Sequence, residues 1–354
     1  MTTDTITDTI TDTGAAAQPA ATATSESQVV GIELCGTSWR RIDDAGGDLD
    51  ITDGYFDQHP VYAGIREISL DGLALIRIPA FYVRTETVAT EGEAAFTRRW
   101  HISATARDGF ALHPAFRGAD GPRAAIHIGK YAAGKGTGPT FTLAAGDKPW
   151  TSLNFEQAAS ACTKMGQRCR LWSVHDLSAI QLLMLVEMGG ADMQKLIGMG
   201  NVNGRGPVGG GESDAGWRGL CELWGNVWQM LEGLAINSTG DIQLWRHNDP
   251  AGGWIDTRIP YGPGQDDGYP LRLHDESGEG FDLGPLFLPA SVSDDQDEAA
   301  IPDYCWAPWN NLRGGAWVGG SWIGGRDAGP FHLDLLDHRS DARPVIGFRP
   351  AFDI

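Results

Sequence analysis

Positive charge is scarce in this chain. Its 27 Lys and Arg stand against 46 Asp and Glu, 27 − 46 = −19 at neutral pH, and so acidic a surface repels nucleic-acid phosphates; no nucleic-acid partner is expected. Cysteine is sparse, scattered and odd in number (Cys35, Cys162, Cys169, Cys221, Cys305), with no C-x-x-C, which argues against a disulfide framework and a zinc knuckle. No stretch approaches the ~18 uninterrupted apolar residues of a membrane-spanning helix, so no membrane insertion is expected. H-E-x-x-H, a G-x-S-x-G elbow and a strand-borne G-x-G-x-x-G are missing, leaving the common hydrolase and dinucleotide chemistries without a foothold. There is no fixed-period repeat of the solenoid or propeller kind. The opening Thr/Asp/Ile and Ala/Thr segment lacks the basic and apolar runs of a signal peptide and a lipid-acceptor cysteine, so no leader is expected there, and residues 1–27 read as a disordered tail.

What is present is glycine, 48 of 354 residues, and tryptophan, 13, a composition of long loops pinned by large aromatics. From Val29 onward, short apolar runs (VVGIEL, ALIRIPAFYV, AAIHIGKY, TFTL) separated by Gly, Pro and Asp predict strands. Residues 28–70 read as a strand-rich N-terminal extension. Asn154 followed by Gln157 is a capping signal for a helix carrying Phe155, Ala158, Ala159, Cys162 and Met165 on one face. Ser173 with Asp176 is a second, leading into LSAIQLLMLVEM and ending at Gly189-Gly190. Beyond residue 200 the chain is Gly/Trp/Asp-rich, with a short apolar piece at CELWGNVWQML and strand-like pieces near the end.

Several motif fragments carry no chemistry. Gly129–Lys135 resembles a phosphate-binding loop, but Gly136 stands where the metal-binding hydroxyl belongs. Asp48, Asp50 and Asp53 with Gly54 lack the EF-hand spacing, and both this run and Ser293–Glu298 read as solvated turns. In FHLDLLDHR, Phe331, Leu333 and Leu335 alternate with His332, Asp334 and Leu336; the alternation predicts one core face and one exposed face, an exposed recognition row rather than a convergent metal site.

Three motifs occur in order: Gly225-Asn226-Val227-Trp228, Arg313-Gly314-Gly315-Ala316-Trp317 and Ile346-Gly347-Phe348-Arg349. The trio resembles the formylglycine-generating-enzyme (sulfatase-modifying factor) branch of the C-type lectin fold, which implies an α+β, C-type-lectin-like domain over 71–354, β-rich with two central helices and long ordered loops. Enzymes of that branch bind copper through a cysteine pair just after RGG-x-W. Here Gly319 and Gly324 stand about where those cysteines fall, so the resemblance does not bring the oxidase chemistry with it.

The variable proteins of diversity-generating retroelements, phage tail receptor binders among them, are a closer resemblance. In that family a C-terminal repeat is rewritten at adenines, chiefly in Asn codons, on an otherwise fixed frame. Residues 312–349 resemble such a variable region. The resemblance implies a ligand-binding set of Ala316, Val318, Gly319, Trp322, Ile323, Asp327, His332, Asp334, Leu336, Asp337, His338, Asp341, Arg343, Pro344 and Val345. Trp322, which no Asn codon reaches, is either fixed or derived from another codon. The implied scaffold is Trp224, Trp228, Arg313, Gly314, Gly315, Trp317, Gly347, Phe348 and Arg349, with tryptophans packing the glycine-rich loops and arginine forks holding loop carbonyls. The expected protein is not an enzyme. It needs no cofactor, with a structural calcium left open, and binds a protein or glycan on a cell surface from a virion tail, or resides in the bacterial cytoplasm. A homo-oligomer is compatible with the resemblance. Two alternatives stand beside it: a sulfatase-modifying-factor-like enzyme with altered chemistry, and a structural virion protein whose C-terminal row packs between subunits.

Overall fold

The capping signals place the helices. In the computed structural model, which describes residues 10–11, 28–88, 97–166, 168–308 and 314–354, Asn154 and Gln157 form a reciprocal capping box at the start of the helix Phe155–Lys164. Ser173 and Asp176 form another at the start of Val174–Met188. The second helix ends where Gly189 enters the left-handed region at φ 73° and its N–H donates to the Leu185 carbonyl, a conformation that costs glycine least. This helix is buried from Val174 to Val186, around its whole circumference rather than on one stripe, with His175, Asp176, Ser178 and Gln181 as polar residues inside it.

Around these helices the chain is mostly strand. One six-stranded sheet runs in the order Ile10–Thr11, Arg66–Leu70, Leu73–Pro79, Ala125–Gly129, Pro350–Phe352, Cys169–Leu171. The C-terminal strand lies inside it, pairing His127 and Cys169 on opposite sides of Phe352, so the end of the chain closes onto its first half. A five-stranded sheet joins Ser38–Ile42 and Val30–Cys35 to Thr97–Ser103, Tyr82–Val88 and Ala111–Leu112. Within residues 28–70, Val30–Cys35 and Ser38–Ile42 belong to the second of these sheets and Arg66–Leu70 to the first. Of the segment expected to be a disordered tail, residues 10–11 are described and pair with Leu70 and Ser69; the rest of it lies outside the described residues.

The expected run ALIRIPAFYV is broken at Pro79-Ala80 and supplies strands to two different sheets, because Pro79 ends one ladder and the chain turns before Tyr82. The interior holds Trp100, Trp172, Trp224 and Trp317, all fully buried. Below the second helix, Arg170 donates to Asp176, Asn248 donates to the same carboxylate at 2.8 Å, and Ser173 donates to Asn248 at 2.5 Å. Burial alone would raise the Asp176 carboxyl, but the Arg170 charge outweighs it and the pKa is lowered. No helix among the described residues is long and apolar enough to cross a membrane.

Candidate functional site

The three sequence motifs, far apart in the chain, meet in one sheet. Its order is Cys305–Trp306, Leu333–Asp334, Ala316–Val318, Trp228–Leu231, Ile346–Phe348. Gln229, Met230 and Leu231 of the first motif pair with Val318, Trp317 and Ala316 of the second, antiparallel. Trp228, Gln229 and Met230 pair with Ile346, Gly347 and Phe348 of the third, parallel. Two loops leave this sheet on the same stretch of chain, 319–327 and 335–345.

The frame is held by residues other than those it presents. Arg349, fully buried, donates from Nε to Gln229 at 2.7 Å, from Nη1 to the Gly129 and Lys130 carbonyls, and from Nη2 to those of Cys221 and Glu222 at 2.6 and 3.0 Å. A planar fork can satisfy acceptors so arranged and a lysine cannot. Burial pulls this guanidinium down to about 10, still charged at neutral pH. Trp224 donates to the Gly198 carbonyl, and Trp317 packs edge-on against Phe155 with ring centroids 5.3 Å apart. Gly315 and Gly347 are buried and Gly314 is half-buried, while Arg313 lies outside the described residues.

The first loop is tied down through its backbone. Trp322 N–H donates to the Asn226 carbonyl, Gly325 N–H to Val202, and Trp322 O accepts from Gly204 N–H. The Gln194 amide donates to the Gly325 and Ala328 carbonyls at 2.9 and 2.6 Å. The second loop is tied likewise: Phe155 N–H donates to the Arg339 carbonyl, Ser152 N–H to Arg343, and Trp228 N–H to Val345. Arg339 itself holds Glu232 and lies over the Phe155 ring at 4.1 Å.

The fifteen residues expected to be presented divide in two. Ile323 is 71% exposed and Leu336 41%; His338, Arg343 and Pro344 are also exposed, and Trp322, Asp327, Asp337, Asp341 and Val345 are half-buried. Arg343 pairs with Asp337 and Asp341, both within the presented set, while Asp327 accepts from the Tyr269 hydroxyl at 2.7 Å and is partly tied to the frame. Arg326, Ser340 and Ala342 are exposed on the same loops, each directly beside a residue of the expected set, although none of them is expected in it and Ser340 is expected to be fixed.

Five residues expected in the presented set belong to the interior instead. Ala316, Val318 and Gly319 are buried in or just after the central strand of the sheet. His332 is 2% exposed and Asp334 8%. The expected exposed face of FHLDLLDHR does not exist as far as Leu335, because Leu333–Asp334 is an inner strand flanked by Cys305–Trp306 and Ala316–Val318. Alternation of apolar and polar residues marks a half-exposed strand only when one face is left to solvent. Here the His332 ring packs against Trp228, centroids 4.4 Å apart, and its Nδ1 bonds the Asp327 carbonyl at 2.5 Å; burial lowers it to about 4, a neutral ring at pH 7. Asp334 accepts from the Leu336 N–H at 2.8 Å and closes the turn that follows.

Gly319, one of the two positions where the enzyme branch carries its cysteines, is unsuited to a thiol in this backbone. Gly319 sits at φ 87°, and a Cβ there would lie 2.9 Å from the Leu223 carbonyl oxygen, closer than a side chain tolerates. Cys305 is buried, and burial with Asp303 nearby raises its thiol far above neutrality; Cys221 is raised by burial as well. Among the described residues, no group of three or more His, Cys, Asp or Glu is gathered as a metal ion would require.

No protein-family model and no curated protein matches the sequence. Among solved structures, the chain is similar to Treponema denticola variable protein 1 over 81% of this chain and 98% of that one, at 11% identity and TM-score 0.38. It is similar to the Major Tropism Determinant U1 variant over 95% of this chain and 73% of that one, at 13% identity and TM-score 0.32. PvdO from Pseudomonas aeruginosa aligns over 80% and 95%, at 11% identity and TM-score 0.25. At these identities the likeness concerns chain arrangement and says nothing of what this chain binds.

Proposed function

We propose that this protein is a diversified ligand-binding protein, a C-type-lectin-like frame that presents changeable side chains from the loops 319–327 and 335–345, acts without covalent chemistry, and serves host recognition in a phage or prophage tail. One observation carries the reading: the loop backbones are fixed by Gln194, Asn226, Val202, Phe155 and Trp228, while Ile323, Leu336, His338 and Pro344 make no side-chain hydrogen bond to that frame among the described residues. Exposed positions of this kind change with little effect on stability, usually within about 0.5 kcal/mol each. A backbone ordered in advance limits the entropy lost on contact. Ile323, Leu336 and Trp322 would supply apolar contact, with His338, Arg343 and the aspartates as its polar rim. The reading needs no cofactor.

The test replaces Ile323, Leu336, His338, Arg343 and Pro344 together by serine and measures the urea midpoint and adsorption to a panel of bacterial cells. The expected result is an almost unchanged midpoint with altered adsorption, whereas A316D or V318D should abolish folding. Collapse of the five-fold variant, or adsorption identical to the parent, would overturn the proposal. At the gene, a near-copy of the 3′ end should carry AAC or AAT at the exposed codons.

A further inference from the structure

A second concave surface lies beside the presented loops, its floor made of residues that the display reading does not use. The three-stranded sheet Leu234–Ile236, Asp241–Trp245, Trp254–Pro260 buries Ile242, Leu244 and Ile255 on one face. Its register sets Ala235 opposite Gln243 and Trp245 opposite Trp254 on the other. That outer face floors a groove of about 700 Å³, walled on one side by Glu232, Arg339 and Gly314, within the ~300–1,000 Å³ of small-molecule sites.

The lining specifies what would fit. Trp254 is 44% exposed and lines the groove, its ring tilted 58° from that of Trp245 with centroids 6.1 Å apart, so part of the indole is open there. The Gln243 carboxamide, the Ser238 hydroxyl and the Trp254 indole N–H line or border the groove and have no hydrogen-bond partner among the described residues. Charge is cancelled where the groove meets the loops, Glu232 against Arg339 at 2.5 Å, and Asp256 lies beside Gln243 in the ladder, so an anion is disfavoured.

We infer that this groove binds a neutral pyranose sugar, the C–H face of the ring stacking on Trp254 and its hydroxyls pairing with Gln243 and Ser238. An apolar ring face edged with hydroxyls is the complement of an open indole flanked by unpaired amide and hydroxyl groups. The inference rests on the sheet face and stands whether or not the loops are diversified.

Saturation-transfer NMR on the full chain with methyl glycosides of glucose, galactose, mannose and N-acetylglucosamine tests it. At least one glycoside should receive saturation. W254A should lose it at least tenfold, W254F should retain part of it, and the five-fold serine variant of the loops should keep it unchanged. Absence of transfer to every glycoside, equal transfer in W254A, or equally strong binding of methyl glucuronide would overturn the assignment. Loss in the loop variant together with W254A would place the sugar on the loops and overturn it too.

Discussion

Asp334 shows how a polar residue in a variable-looking stretch becomes part of the frame. Burial lifts its carboxyl to about 7, with the nearby Asp337 adding to the lift, while its Oδ1 accepts from the Leu336 N–H at 2.8 Å. A folded-state value above the unfolded ~3.9 means that the folded chain keeps a proton the unfolded chain has released. Its contribution to stability is therefore complete below about pH 4, is lost as pH rises toward 7, and changes no further above that. Asparagine offers the same acceptor and does not ionise. D334N should match the parent near pH 4 and exceed it near pH 8 by as much as roughly 4 kcal/mol, a difference that denaturant unfolding at the two pH values would read. An equal offset at both would separate Asp334 from the titration. His332, a few residues away, has the opposite sign: lowered to about 4 by burial, it contributes fully above about pH 6.5 and is lost as pH falls through 4.

Among the elements, the helices were the most legible, because a capping box is written in four consecutive residues and needs nothing distant to form. The two boxes nonetheless differ in what else they touch. Asn154 caps its helix at an exposed end, so N154A should cost about 1 kcal/mol. Ser173 caps the second helix and also donates to the buried Asn248, and S173A leaves that carboxamide oxygen without its donor; a cost of about 2 kcal/mol or more follows, and comparing the two urea midpoints checks the ranking. The strands were legible as strands but not as neighbours. Nothing local in FHLDLLDHR distinguishes an edge from an inner strand, which is why His332 and Asp334 read as exposed, and nothing local announces that GNVW, RGG-x-W and IGFR share a ladder. The groove at Trp254 had no signature at all, since its floor comes from three short strands and its wall from residues 232, 314 and 339.

On the scale of the whole molecule, the frame closes on itself by long-range pairing: the C-terminal strand sits between Ala125–Gly129 and Cys169–Leu171, and Arg349 links carbonyls at 129, 130, 221 and 222. The loops inherit this rigidity only if their amides are engaged, and they are: Trp322, Gly324, Gly325 and Asp327 each donate to a carbonyl, two of them to Asn226 and Val202 outside the loop. Amides bonded in this way exchange with solvent only when the surrounding structure opens. Residues 322–327 should therefore exchange far more slowly than a surface loop of their glycine content, at a rate approaching that of the Trp228–Leu231 strand. The rate should also be the same in the five-fold serine variant, because none of the replaced side chains takes part in those bonds. Hydrogen-exchange mass spectrometry on both proteins checks this. Fast exchange in the parent would mean that the loop is ordered by its ligand rather than by the frame, and faster exchange in the variant alone would mean that the presented side chains hold the backbone they were taken to decorate.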